Sequence, residues 1–211
     1  MIDMVLESKS ELDRSLGLGV YGTNTNGIGG VIRKCLEDFI VEEIPLQGGN
    51  SGNLALLIVE KRGIDTLTAA VMLSEKLKIP LRDIGFAGLK DTRSISRQRF
   101  TVKLPENFDP YSLSNEKLRV IEVYRAKRHL RPGMLLGNNF TIRVRDLRVP
   151  MSEAEAILKE ALLQLSELGG VPNFYGYQRF GVNRPNTHIV GKLLIQGDYE
   201  GAIMEMLATP Y

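Results

Sequence analysis

The sequence predicts an α+β fold, and three observations carry that prediction. Short β-type runs recur between residues 39 and 145, several of them alternating apolar and polar residues. Amphipathic helical patterns of moderate length stand among and after these runs. Two shorter helical stretches then close the chain, so the order is strands with intervening helices followed by helices alone.

Taken in order, residues 1–16 read as a polar lead-in. From Gly17 to Gly30 the chain is rich in glycine and includes a literal G-x-G-x-x-G at Gly17, Gly19 and Gly22. A dinucleotide site needs a strand before this motif and a helix opening at it; here polar residues precede it and more Gly, Asn and Thr follow, which predicts a loop. Phe39–Glu43 predicts a strand ending near Pro45. Residues 54–59 are apolar on both faces, as a central strand would be. Asp65 is placed to cap a helix running to Lys78, with Leu67, Ala70, Val71 and Leu77 as its apolar stripe and Pro80 as its stop. Short strands follow at Ile84–Gly88, Arg99–Leu104 and Leu118–Tyr124. In the second of these Phe100, Val102 and Leu104 face away from Arg99, Thr101 and Lys103. The same division separates Phe140, Ile142 and Val144 from Thr141, Arg143 and Arg145, which predicts one basic sheet face with an apolar back. Ser152 and Glu155 form a capping-box pattern for a helix with Ile157, Leu158, Ala161, Leu162, Leu165 and Leu168 inward, ended by Gly169 and Gly170. The last helices fall at Thr187–Ile195 and Tyr199–Leu207.

The totals narrow the class. The apolar fraction is 43% and the charged fraction 25%, as in a soluble globular protein, and no apolar run reaches the roughly 18 residues of a membrane span. One cysteine rules out an internal disulfide framework, and with two histidines it disfavours a Cys/His metal site; a reducing cytoplasm suits such a chain. The net charge of +2 hides an uneven distribution. Residues 82–148 carry 15 Lys and Arg against 7 Asp and Glu, while the remainder is net acidic. A central basic block points to a polyanion such as RNA, or to no more than a solvated sheet face.

Three clusters hold residues able to do chemistry. The run from Gly85 to Gln98 ends a strand in small residues and continues into a loop bearing Lys90, Asp91, Arg93, Arg97 and serines. An aspartate beside two such cations stays ionised, as a nucleophilic carboxylate must, although a surface ion pair in a turn has the same composition. Gly137–Phe140 places Asn138 and Phe140 on one strand face, where they could hydrogen-bond and stack a base, or serve as a turn residue and a core residue. Residues 171–181 interleave Phe174, Tyr175 and Tyr177 with Gln178 and Arg179, in the manner of a base-stacking platform or of a self-packed loop.

In sequence and order, "LEDFIVEEI", "FAGLKDTRSISRQ", "GNNF" and "VPNFYGYQRFG" resemble the successive signature segments of the TruD family of tRNA pseudouridine synthases, over residues 17–196. The resemblance implies a mixed, largely antiparallel sheet with helices on one face, of the pseudouridine synthase catalytic type. It implies isomerisation of uridine, at position 13 of tRNA, without cofactor or metal. It places the nucleophile on Asp91 and substrate contacts on Phe39, Asn138 and Phe140. It puts RNA contacts on Lys90, Arg93, Arg97, Arg143, Arg145, Gln178 and Arg179. Leu36, Thr92 and Ser94 depart from the family's usual proline, basic residue and alanine, all at the periphery of these segments.

Family members are longer, with a catalytic domain interrupted by an inserted domain. The resemblance therefore implies a truncated chain, with residues 1–170 the first part of the catalytic domain and 171–211 the start of the insertion. The rival expectation is a non-catalytic RNA-binding module that uses the basic strand faces.

Overall fold

In a computed structural model of the protein, residues 6–46, 50–181 and 184–208 are described. The chain divides into two compact units, residues 29–148 and residues 1–28 with 149–211.

The first unit is a six-stranded sheet. Its strands are β1 (Phe39–Pro45), β2 (Leu54–Arg62), β3 (Gly85–Phe86), β4 (Ile95–Val102), β5 (Leu118–Ala126) and β6 (Leu135–Ile142). They lie in the order β5-β2-β4-β1-β6, and β3 pairs with β4 beyond the reach of β1. Only β1 and β4 are parallel; the other pairings are antiparallel, so the sheet is mixed and largely antiparallel as expected.

One sheet face is covered by α2 (Thr66–Leu77). Asp65 caps it by accepting from the Thr68 amide at 2.8 Å, and Lys78 ends it in a left-handed conformation. Ala69, Ala70, Leu73 and Leu77 pack on Leu57 and Val59 of β2 and Phe100 and Val102 of β4. The expected stripe is therefore corrected. Leu67 and Val71 are exposed, and the buried face runs through small alanines that bring the helix close to the sheet.

The opposite face of β2 and β4 is charged, but it is not an open basic surface. Arg99 pairs with Glu43 and Arg145 with Asp38, while the neighbouring Arg97 pairs with Glu42 and Glu60 and Arg119 with Glu60, so acidic residues neutralise part of the expected cationic front and leave Lys103 and Arg143 without an acidic partner among the described residues. The expected apolar back of β6 is also corrected. Phe140 and Ile142 are exposed, and β6 is an edge strand.

The second unit holds α1 (Glu11–Ser15), α3 (Met151–Glu167), α4 (Tyr177–Phe180), α5 (Thr187–Gln196) and α6 (Tyr199–Leu207). The glycine-rich run is a loop, as read. α3 starts one residue before the expected Ser152 cap, and Pro150 stands at its N-cap without a side-chain bond. Gly169 and Gly170 close it with positive φ, the Gly170 amide donating to Leu165 O at 2.8 Å. Of its expected inward residues, Leu158, Leu162 and Leu168 are exposed, and Ala154 alone is buried. Among the described residues no helix is long and apolar enough to cross a membrane.

Candidate active site

A parallel strand pair brings two sequence-distant segments to one end of the sheet. β1 and β4 run in the same direction with Ile40 opposite Ile95, so the residues just before each strand, 33–38 and 91–94, gather at the same edge.

The segment before β4 is anchored from inside. The Lys90 amide donates to Thr66 Oγ1 (2.8 Å), the Thr66 hydroxyl donates to Gln98 Oε1 (3.0 Å), and the Gln98 amide donates to Gly88 O (2.6 Å). The buried Ser94 hydroxyl donates to Asp91 O at 2.7 Å. Backbone and neighbours are fixed in this way, while the Asp91 side chain remains 51% exposed.

Arg33 joins the two segments. Its Nη2 lies 2.6 Å from Asp91 Oδ2, and its guanidinium lies 3.8 Å from the centre of the Phe39 ring. Arg93 donates to Arg33 O at 2.8 Å, and Arg33 adopts φ +58°, a conformation uncommon outside glycine. The sequence reading missed this residue. It sits in a short mixed-charge run before Phe39 with no periodicity to mark it, and only the strand pairing shows that it meets Asp91.

Phe39 is buried, and Phe140 meets it edge-on with centroids 6.0 Å apart. Phe39 is held from behind by its neighbour Asp38. That carboxylate is buried and accepts from Arg145 Nε at 2.8 and 2.9 Å and from the Cys35 amide at 3.1 Å. Burial pushes the Asp38 carboxyl up, but the Arg145 and Cys35 bonds outweigh it and hold the group below the usual range.

Asn138 lies opposite Glu43 in the β1–β6 register, two residues along the strand from Phe140 and on the same side. Its Oδ1 is buried without a hydrogen-bond partner among the described residues. Glu43 is itself buried, accepting from Arg99 Nε at 2.6 Å with Lys90 Nζ 3.6 Å away. The Lys90 ammonium and Glu43 Oε2 also lack hydrogen bonds among the described residues. Unsatisfied polar atoms are rare in a protein interior, and here, with Arg33 Nε, four of them come from candidate-site residues and their neighbour Glu43.

The expected RNA contacts divide by environment. Lys90 is corrected: its side chain is 3% exposed and faces Glu43, so it supports the loop from within. Arg97 and Arg145 are engaged by Glu42, Glu60 and Asp38, whereas Arg143 and Arg93 are exposed and without an acidic partner among the described residues. Gln178 and Arg179 lie on α4 of the other unit, where the Arg179 guanidinium is 5.2 Å from the Tyr175 ring centre.

One further group was not foreseen. Lys61 of β2 is fully buried, and its ammonium donates to Ile64 O at 3.1 Å. Burial, reinforced by the Lys90 charge and opposed by Asp65 and Asp91, pushes its pKa down to about 8.

A profile of the family described as tRNA pseudouridine synthase D (TruD) matches residues 15–211. The chain belongs to the TruD family. A Methanosarcina mazei protein named "Probable tRNA pseudouridine synthase D" is 35% identical over 207 residues, covering 95% of this chain and 46% of that protein. The tRNA pseudouridine synthase D of Geobacter metallireducens is 37% identical over 185 residues, covering 87% and 45%. The crystal structure of the Methanosarcina mazei TruD protein superposes with a TM-score of 0.80 at 34% identity, covering 96% of this chain and 46% of the other. The chain thus spans about half the length of the TruD relatives it matches, and across that half it shares their fold.

Proposed function

We propose that the protein isomerises uridine to pseudouridine in tRNA, at position 13, with Asp91 as the nucleophile. The supporting observation is the half-exposed Asp91 carboxylate, ion-paired to an Arg33 that lies across Phe39, within a chain of the TruD family. In this reading the target nucleotide is flipped out of the RNA and enters beside Asp91. Asp91 attacks C1′ as the C1′–N1 bond breaks, the uracil turns, C5 displaces the carboxylate from C1′, and the proton lost from C5 is balanced by one gained at N1. The Arg33 guanidinium orients the carboxylate. Phe39 is covered by Arg33, so it forms the floor, and the exposed ring of Phe140 offers the base a stacking face. Asn138, with an unsatisfied carbonyl, bonds the base edge or ribose. Arg93 and Arg143 are placed for phosphates.

The test is Asp91→Asn, an isosteric change that removes only the charge. Pseudouridine formation on a tRNA transcript should fall by more than about 100-fold, while tRNA affinity stays within a few-fold. Equal turnover in the variant would sink the assignment. The non-catalytic alternative predicts no pseudouridine from either protein.

A further inference from the structure

Arg62, Arg97, Arg99 and Arg119 on the strands are occupied by acids, but a group of cations just beyond the strand ends is not. Lys103, Lys127, Arg128 and Arg131 line a groove of about 570 Å³ between the starts and ends of β2, β4 and β5, with Asn53 and His129 completing its polar rim. All four cations are exposed, no acidic side chain lines the groove, and none of the four forms an ion pair among the described residues.

The groove is built into the fold. A Cβ on Gly52 would lie 2.2 Å from Ala126 O, and one on Gly85 would lie 2.6 Å from Leu130 O, so glycine alone admits the cationic segment at both places. The Leu130 amide donates to Thr101 Oγ1 at 2.9 Å, and the Gly133 amide donates to Ala87 O at 2.8 Å. The segment is thereby fixed along its length, and it leads from the far end of the sheet back to the strand that precedes the Asp91 loop.

We propose that this groove binds the phosphodiester backbone of the RNA substrate away from the modified uridine, so that the enzyme engages the shape of a folded RNA as well as one nucleotide. The proposal rests on the functional reading above. Asp91 lies just before β4 and Lys103 just after it, which separates them by roughly 26 Å of strand rise, several base pairs of duplex. Free guanidinium and ammonium groups match phosphates. No Phe or Tyr lines the groove and His129 is its one aromatic ring, so its cations outnumber its stacking groups, and its apolar members, Leu54 and Met134, are half-buried and offer nothing to a lipid bilayer.

The experiment compares the unsubstituted protein with K103Q/K127Q/R128Q/R131Q, and with K127Q/R128Q as a milder second variant. Affinity is measured across a salt series for a full tRNA transcript and for a short stem-loop carrying only the target uridine and its immediate flanks. On tRNA the quadruple variant should lose at least about 10-fold in affinity, and its slope of log affinity against log salt should become shallower by about 3, the double variant by about half as much. The stem-loop, too short to reach the groove, should bind all three proteins alike. An unchanged slope on tRNA, or an equal loss on the stem-loop, would overturn the proposal. So would loss of binding to phosphatidylglycerol vesicles with tRNA affinity intact. Pseudouridine formation by the unsubstituted protein is scored separately. If none forms while the variants still lose tRNA affinity, the functional reading falls and the groove stands; if it forms with the slopes unmoved, the reverse holds.

Discussion

At the scale of single residues, Arg33 meets Asp91 directly, and Lys61 bears a buried charge in the same unit. The planar Arg33 guanidinium also covers Phe39, a pair of roles that an ammonium cannot fill together. Arg33→Lys should therefore keep part of the activity and Arg33→Ala very little, with kcat falling more than KM rises. A change confined to KM would assign Arg33 to binding alone. Lys61 acts on stability from the interior. Its pKa in the folded protein, about 8, lies below the ordinary value of 10.5, so between those pH values the unfolded chain binds more protons and stability rises with pH. Lys61→Met should remove that rise and increase the melting temperature at pH 7, where wild type bears the buried charge; identical pH–stability curves for the two proteins would refute this. Neither residue was legible as functional in the sequence. Asp91 was, because a Lys-Asp pair amid small residues at a strand end is a local pattern. The importance of Arg33 comes from a partner 58 positions away, and that of Lys61 from burial, which an isolated lysine in an apolar strand does not reveal.

At the scale of elements, the close approach of β3 to the Leu130 segment makes the sharpest demand. Gly85→Ala would put a methyl group 2.4 Å from Thr101 Oγ1 and 2.6–2.7 Å from the Leu130 backbone, none of it a flexible chain end that could swing away freely. A cost of roughly 1–3 kcal/mol is expected, read as a lower midpoint in urea with unchanged slope. A midpoint within error of wild type would show that the two strands separate easily. The strands themselves were readable because their apolar alternation is local. Their ends were less so. β4 begins at Ile95 and not Arg99, because Ser96 and Gln98 are buried polar residues, Gln98 held by its bonds to Gly88 and Thr66, and they look like loop in a linear pattern. The α2 face was misjudged for a related reason: alanines carry a weak apolar signal, yet they are what a closely packed helix requires.

At the scale of the molecule, residues 29–148 form a unit with its own core and contain every element of the candidate site apart from Gln178 and Arg179. Expressed alone, that unit should fold with a cooperative thermal transition and bind tRNA in a salt-dependent way. A non-cooperative melt would show that the remaining helices are needed for its stability. Its weak point is β6, an edge strand exposing Leu136, Phe140 and Ile142, which invites pairing between copies. Leu136→Lys should reduce self-association at high concentration, as measured by sedimentation; no reduction would place the sticky surface elsewhere. The α+β class and the basic block were visible in order and composition. The neutralisation of part of that block was not, since Glu42 and Glu60 meet Arg97 and Arg119 only once the strands have been ordered.

The placement of β1 between β4 and β6 has a consequence for how the chain acquires its native state. β2, α2 and β4 are joined by comparatively short spans, whereas Phe39 of β1 pairs with Ile142 and Ile40 with Ile95, across about half the chain and a quarter of it. Contacts of such separation carry the larger loop-closure entropy and tend to form late. Asp91 belongs to the early body, and Arg33 and Phe39 arrive with β1, so the candidate site is completed only in the last steps of folding. Val41→Ala, in the buried middle of β1, should accordingly speed unfolding and leave the refolding rate almost unchanged. A slowed refolding limb would instead place β1 in the folding nucleus.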